Sequence, residues 1–311
     1  MKTTLELASY IIAEDIDAWI KREFPSEHRE HLGASVIGKE CERELWYLFR
    51  WVAKPNYYKR NDDGEFVDEA PRMQRLFQRG HAEEDRFISY LRGIGVQVSE
   101  RDENGNQHRI SGVGGHFGGS MDSILTIPPR YFGNEMLAIG EYKTHGKKSF
   151  EKLEKFGLGN LILDRFGQPY ASRDRVKWEH VVQMDTYGVA KGIHLGLYVA
   201  CEKDTDALHI RFRKLDHENG QNSLIKAERI VRSNRPPERV SENPTSFKCK
   251  FCDYKDQCHN GAKPSEINCR SCRHFEPVPD AKWYCHVHAK TVITTDRAQI
   301  QAACPQYSPI A

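Results

Sequence analysis

The run Met136-Leu-Ala-Ile-Gly-Glu-Tyr-Lys-Thr144 places a carboxylate and an ammonium two positions apart, Glu141 and Lys143. Its apolar, β-compatible start reads as a strand, and alternate side chains of a strand leave the same face. Glu141 and Lys143 therefore point together, with Tyr142 opposite. Upstream, Gly119-Ser-Met-Asp-Ser-Ile-Leu125 sets a lone carboxylate, Asp122, inside a second strand-like run, 116–127. If these strands are neighbours, Asp122 and Glu141 can hold a divalent cation, with Lys143 steadying a water beside it. Hard cations take such oxygen ligands, and a bound cation lowers the pKa of its water. Taken alone, Glu-x-Lys also describes a salt-bridged strand end, because 29% of the chain is charged. Order and context decide between the two.

A second chemistry lies in nine cysteines. Cys249-x2-Cys252-x5-Cys258 gives three close thiolates that need a fourth ligand, and Cys41, far upstream, is the natural candidate. Four thiolates with one distant in sequence suit a [4Fe-4S] cluster, and zinc on the same ligands is the alternative. The tail carries Cys269-x2-Cys272-x12-Cys285-x18-Cys304, the paired-then-spread spacing of a small zinc module, with His286 and His288 able to substitute for one cysteine. Cys201 reads as a buried apolar residue. Without a secretory signal, metal-bound thiolates in a reducing cytosol are expected rather than disulfides.

Several elements must position these groups. Residues 3–24 carry Leu5, Leu7, Ile11, Ile12, Ile16, Trp19 and Ile20 at helical spacing and read as an amphipathic cover helix. Residues 35–51 are apolar and aromatic on one face, and 56–69 read as a polar loop. Pro71 opens a helix to about Gly93 on which His81 and Glu84 share a face. Strand-like runs follow at 96–100, 108–111, 116–127 and 136–144, separated by Gly and Asn turns. A short helix is expected at 150–156, a loop-rich insertion at 157–175, and a helix at 178–191 that projects Gln183 and Tyr187 on one side. A hairpin at 195–201 and 207–213 closes the series.

In chain order, Gly80 followed by Glu84, then Asp122, then Glu141-Tyr142-Lys143, then Gln183-x3-Tyr187 resembles the PD-(D/E)XK nuclease superfamily. Within it, the chain is similar to the RecB-type nucleases, which include CRISPR-associated iron-sulfur exonucleases and phage relatives. The likeness spans residues 33 to 260. It implies an α/β, restriction-endonuclease-like core, a central mixed sheet flanked by helices, with an N-terminal helical cover. Asp122 and Glu141 would be direct ligands of Mg²⁺ or Mn²⁺, the Tyr142 carbonyl a third, and Glu84 would complete the shell directly or through water. No proline precedes Asp122. Where many RecB-type proteins have His four residues after the glycine, this chain has Glu84 with His81 nearer, so either can face the metal. Lys143 would orient the attacking water, and Gln183 and Tyr187 would support the site and contact DNA. Cys41 lies in a segment resembling the one that supplies the first cluster cysteine, and the cluster would be a structural staple. The expected organisation is a nuclease domain at 1–264, closed by Cys41, Cys249, Cys252 and Cys258, and a metal-binding module at 265–311. That module could bind DNA, dock a partner or cap the core. The implied activity is a metal-dependent DNA exonuclease in recombination or end processing, acting on DNA ends with a recombination or helicase partner. An endonuclease, or a non-catalytic binding or adaptor protein that kept the fold, is the alternative.

The totals bound these readings. At 311 residues and 39% hydrophobic, the chain suits a soluble globular protein, and no apolar run approaches the ~20 residues of a bilayer span. The start lacks a signal peptide's basic and apolar regions, so a cytoplasmic protein is expected. A net charge of +2 means that DNA binding must come from local clusters. These are Arg72, Arg75 and Arg79, then Lys143, Lys147 and Lys148, then Arg211, Arg213 and Lys214, and a solvated face explains each about as well.

Overall fold

Period-two apolar patterning builds the central sheet, and amphipathic helices cover it. The computed structural model describes residues 4–25, 27–53, 58–60, 66–68, 70–160 and 175–310. The chain begins with α1 (Thr4–Glu23), β1 (Leu32–Gly33), α2 (Glu42–Phe49), β2 (Tyr58–Arg60), β3 (Phe66–Asp68) and α3 (Ala70–Gly93). It continues through β4 (Gln97–Ser99), β5 (Arg109–Gly112), β6 (Phe117–Ser120), β7 (Ser123–Ile127), β8 (Met136–His145), α4 (Lys147–Phe156) and α5 (Trp178–Lys191). β9 (Leu195–Glu202), β10 (Leu208–Lys214) and α6 (His217–Arg232) complete the core. The C-terminal part holds α7 (Phe247–Lys250), α8 (Lys255–His259), β11 (Phe275–Val278), β12 (Lys282–Cys285), β13 (Lys290–Ile293) and α9 (Arg297–Gln301).

Five strands pair in the order β10-β9-β8-β7-β4, with β8 and β9 parallel and the other pairs antiparallel. The sheet is mixed and has helices on both faces. Ala138 and Tyr142 of β8 join Phe87, Ile88 and Leu91 of α3 in one apolar cluster. Ile139 joins Met184 and Tyr187 of α5 and Ile230 of α6 in the other. The alternation that buries these residues sends Glu141 and Lys143 to the α5 face.

The run 116–127 is not one strand. β6 pairs with β1 and β5 in a separate three-stranded sheet, whereas β7 pairs with β8 and β4. The chain changes sheets between Ser120 and Ser123, where the Met121 N–H donates to the His108 carbonyl, so Asp122 stands at a corner rather than inside a strand. Residues 56–69 contain the short β2-β3 pair, not only loop. Of the insertion expected at 157–175, residues 161–174 lie outside the described residues. Helix α6 was not anticipated; Asp216 caps it by accepting the Asn219 N–H.

α1 forms as expected, yet Leu5, Ile12, Ile16 and Trp19 remain exposed and Ile20 alone is buried among the helix's described residues. Arg75 of α3 pairs with its Asp17. At the other end, Phe275, Trp283, Val292, Ile300 and Ile310 share one apolar core with Trp46, Phe49 and Trp51. Arg270 is fully buried there, its guanidinium 4.6, 4.4 and 4.5 Å from the ring centroids of Phe49, Trp51 and Trp283. It donates to the Glu30 and Phe49 carbonyls, which satisfies a charge that would otherwise be expensive to bury. Arg50 donates to the Cys272 carbonyl at 2.7 Å. Among the described residues no helix is long and apolar enough to cross a membrane.

Candidate active site

β8 and the sheet-switch corner bring the carboxylates together. The Asp122 Oδ2 atom accepts the Tyr142 N–H at 2.8 Å, which ties the corner to β8. Lys143 Nζ lies 2.7 Å from Glu141 Oε1 and 3.4 Å from Asp122 Oδ2, and donates to the Tyr142 carbonyl at 2.9 Å. A single ammonium thus touches all three oxygens assigned to a metal from the sequence. Glu141 is fully buried, and its Oε1 has this ion pair but no hydrogen bond. Tyr142 turns to the α3 face and bonds Ser123 Oγ at 2.6 Å.

α5 supplies the support. Gln183 Nε2 reaches Glu141 Oε2 and the Tyr187 hydroxyl, each at 3.3 Å, and the Tyr187 hydroxyl donates to the Ser120 carbonyl at 2.8 Å. Gly119 permits that approach, since a Cβ there would stand 2.6 Å from the Tyr187 hydroxyl and 2.8 Å from Ala34 Cβ. Tyr198 of β9 is the register partner of Glu141 on β8, and its hydroxyl meets His145 Nε2 at 2.9 Å and His180 Nδ1 at 2.8 Å. Nothing in the sequence pattern marked this layer, because it depends on the parallel β8-β9 register.

The electrostatics follow from burial and like charge. Burial pushes the Glu141 carboxyl up against the pull of Lys143. Burial, then the charge of Asp122, pushes Glu84 up to about 7, with Lys143 opposing. Burial draws the Lys143 ammonium down, but Glu141 and Asp122 together hold it above the usual range. Three carboxylates therefore share one ammonium. Among the described residues no three His, Cys, Asp or Glu side chains, here or at either cysteine set, are gathered as a group that could hold a metal ion. Lys143 itself takes the lone pairs that a cation would use.

A cleft of about 610 Å³ opens on the site. His81, Glu84, Asp122, Gln183 and Tyr187 line it, and so do residues that the sequence did not single out, Arg29, His31 and Ser35 from the segment between α1 and α2. Irregular segments have no periodicity to announce them. Of the basic clusters, Arg75 pairs with Asp17, Arg79 donates to the Lys203 carbonyl, and Arg213 pairs with buried Asp185 beneath α6.

Cys41 at the start of α2, Cys249 of α7, Cys252, and Cys258 of α8 line one hollow with Tyr47, Tyr254 and Arg239. Cys269, Cys272, Cys285 and Cys304 line another, together with His288, while His286 pairs with Glu276. Burial pushes the Cys252 thiol up to about 12. Burial, and after it the three neighbouring thiols, push Cys269 up to about 11. Cys201 is buried on β9.

No protein-family model matches the chain, and no curated protein matches it. Among solved structures the chain is similar to SSO0001, with a TM-score of 0.38 and 15% identity, covering 81% of this chain and 98% of that one. It is also similar to LHK-Exo, an alkaline exonuclease from Laribacter hongkongensis, solved as such and in complex with dAMP. Each of those two comparisons has a TM-score of 0.36 and 13% identity, covering 68% of this chain and 90% of that one.

Proposed function

We propose that the protein is a divalent-metal-dependent deoxyribonuclease that hydrolyses phosphodiester bonds by a PD-(D/E)XK arrangement. One observation carries the reading: Lys143 Nζ sits among Asp122, Glu141 and the Tyr142 carbonyl, three oxygen donors converging on a position that a cation already favours. Mg²⁺ or Mn²⁺ fits this donor set, since the oxygens are hard and three carboxyl groups, Glu84, Asp122 and Glu141, gather about one ammonium. Asp122, Glu141 and the Tyr142 carbonyl would hold the ion, with Glu84 completing the shell and His81 at its edge. When bound, the ion supplies an activated water and neutralises charge on the phosphate.

The chain's own groups do the rest. Lys143, held protonated by its two carboxylates, is a donor rather than a base, and it orients the attacking water and meets developing negative charge. Gln183 fixes the Glu141 carboxylate, and Tyr187 anchors Gln183 to the Ser120 carbonyl. Water adds to phosphorus as the phosphorus–oxygen bond to the leaving sugar breaks, giving a phosphate monoester and a hydroxyl. Cys41, Cys249, Cys252 and Cys258 would hold a structural [4Fe-4S] cluster, and Cys269, Cys272, Cys285 and Cys304 a zinc ion. Preference for DNA ends, and a role in recombination or end processing, rest on the motif order alone.

The test is cleavage of end-labelled linear and circular DNA with Mg²⁺, Mn²⁺ or chelator. Cleavage should require metal and be confined to linear DNA, and Asp122→Ala, Glu141→Ala and Lys143→Ala should each lower it by at least about a hundredfold without altering the fold. Full activity in any of the three removes that residue's assignment, and cleavage of circles makes the enzyme an endonuclease. Metal-bound protein that binds DNA without cutting it supports the non-catalytic alternative.

A further inference from the structure

We propose that the cleft wall facing the carboxylates, built from Arg29, His31 and Arg109 and closed by Arg297 of the C-terminal part, holds the DNA backbone beside the scissile phosphate. The inference rests on the nuclease reading above and gives a role to a tail segment for which the sequence suggested several. The same cleft that exposes Glu84 and Asp122 is lined by these four basic residues. Its carboxylate side cannot hold a phosphate by itself, because like charges repel, so a bound strand needs a second handle.

The wall is built for an anion. Arg29 donates to Ser35 Oγ at 2.8 Å, and among the described residues neither Arg29 nor Arg109 pairs with a carboxylate. Burial draws His31 below its ordinary value, and the charges of Arg109 and Arg29 beside it add to this while Glu30 opposes. A neutral imidazole there can still donate one N–H to a phosphate oxygen. Arg297, at the start of α9, reaches across from the tail to pair with Glu27 at 3.1 Å and Glu30 at 3.3 Å. Glu27 and Glu30 line the same cleft, so three guanidiniums face two carboxylates and the wall remains positive. A phosphate would compete with Glu27 and Glu30 for Arg297, and guanidinium suits it as a planar, two-pronged donor.

The experiment is equilibrium binding of a short fluorescent DNA strand, single and duplex, with chelator present so that nothing is cut, across a range of salt. Arg297→Ala should weaken binding several-fold and reduce the slope of log affinity against log salt by about one phosphate's worth. Glu27→Gln should tighten binding, because it releases Arg297 from one carboxylate. A merely structural ion pair predicts no tightening. Affinity and salt slope unchanged in Arg297→Ala, or no tightening in Glu27→Gln, overturns the wall assignment while leaving the nuclease reading intact. Wild-type protein that binds no DNA at low salt also overturns the wall assignment, whereas the nuclease reading stands or falls on the cleavage assay with metal. A thermal melt of each variant separates lost binding from lost fold.

Discussion

Gln183 shows how much of the site depends on one neutral side chain. Its amide donates to Glu141 Oε2 and to the Tyr187 hydroxyl, so it fixes a fully buried carboxylate whose other oxygen is held by Lys143 alone. Leaving a buried polar atom without its partner costs about 1–3 kcal/mol. Gln183→Ala should therefore lower the melting temperature and reduce cleavage by about tenfold or more. Tyr187→Phe, which loses the bond to the Ser120 carbonyl, should cost about 0.5–1.5 kcal/mol. Melting curves and initial cleavage rates measured together check both. A Gln183→Ala protein with wild-type rate would place that side chain outside the machinery. At this scale the order of acid, lysine and amide offered Asp122, Glu141, Lys143 and Gln183 as candidates, and the fold sets them in one connected cluster. The His145–Tyr198–His180 layer was not, since its members meet only through register.

Two of the junctions between elements bear on the proposed chemistry. Asp122 owes its position to the switch from β6 to β7, since a continuous strand would have held it in line with its neighbours rather than at the end of β8. Cys41 at the start of α2 meets α7 and α8, about two hundred residues later, in one hollow. Metal on thiolates couples directly to folding. Protein purified without oxygen should be brown, absorb broadly near ~400 nm and contain iron, and Cys41→Ser should lose the iron and melt lower. Cys272→Ser should lose zinc instead. Colourless protein with zinc at both sets would exclude the cluster and leave the active-site reading untouched.

Across the whole molecule, Phe275, Trp283, Val292, Ile300 and Ile310 of the C-terminal part share the core that Trp46 and Phe49 of α2 begin. His116 marks the seam, since Nε2 meets the Val278 carbonyl at 2.8 Å while its ring lies edge-on to Phe49 and Trp283. Burial draws its pKa below the ordinary 6.5, although the Val278 bond opposes this. Below 6.5 the unfolded chain takes up a proton that the folded chain refuses, so the contribution of His116 to stability is lost as pH falls. Glu84 and Glu141, with raised values, act in the opposite direction over part of the same range, so the test is a difference. The gap in Tm between wild type and His116→Gln should narrow as pH drops below about 6.5. A gap that stays constant with pH would mean that His116 titrates alike in both states.

Read without coordinates, the chain yields α3, β8, α5 and the β9-β10 hairpin, because apolar periodicity and the alternation of strand side chains are local properties. It also offers Asp122, Glu141 and Lys143 as candidates, which the fold brings together, since residue type and order need no third dimension. Folding alone decides the rest. It splits 116–127 between two sheets, sets Tyr198 beside Glu141, seats Arg270 between three aromatic rings, and carries Arg297 to the cleft. Each of these depends on contacts between residues far apart along the chain, and such contacts are selected by the packing of the whole.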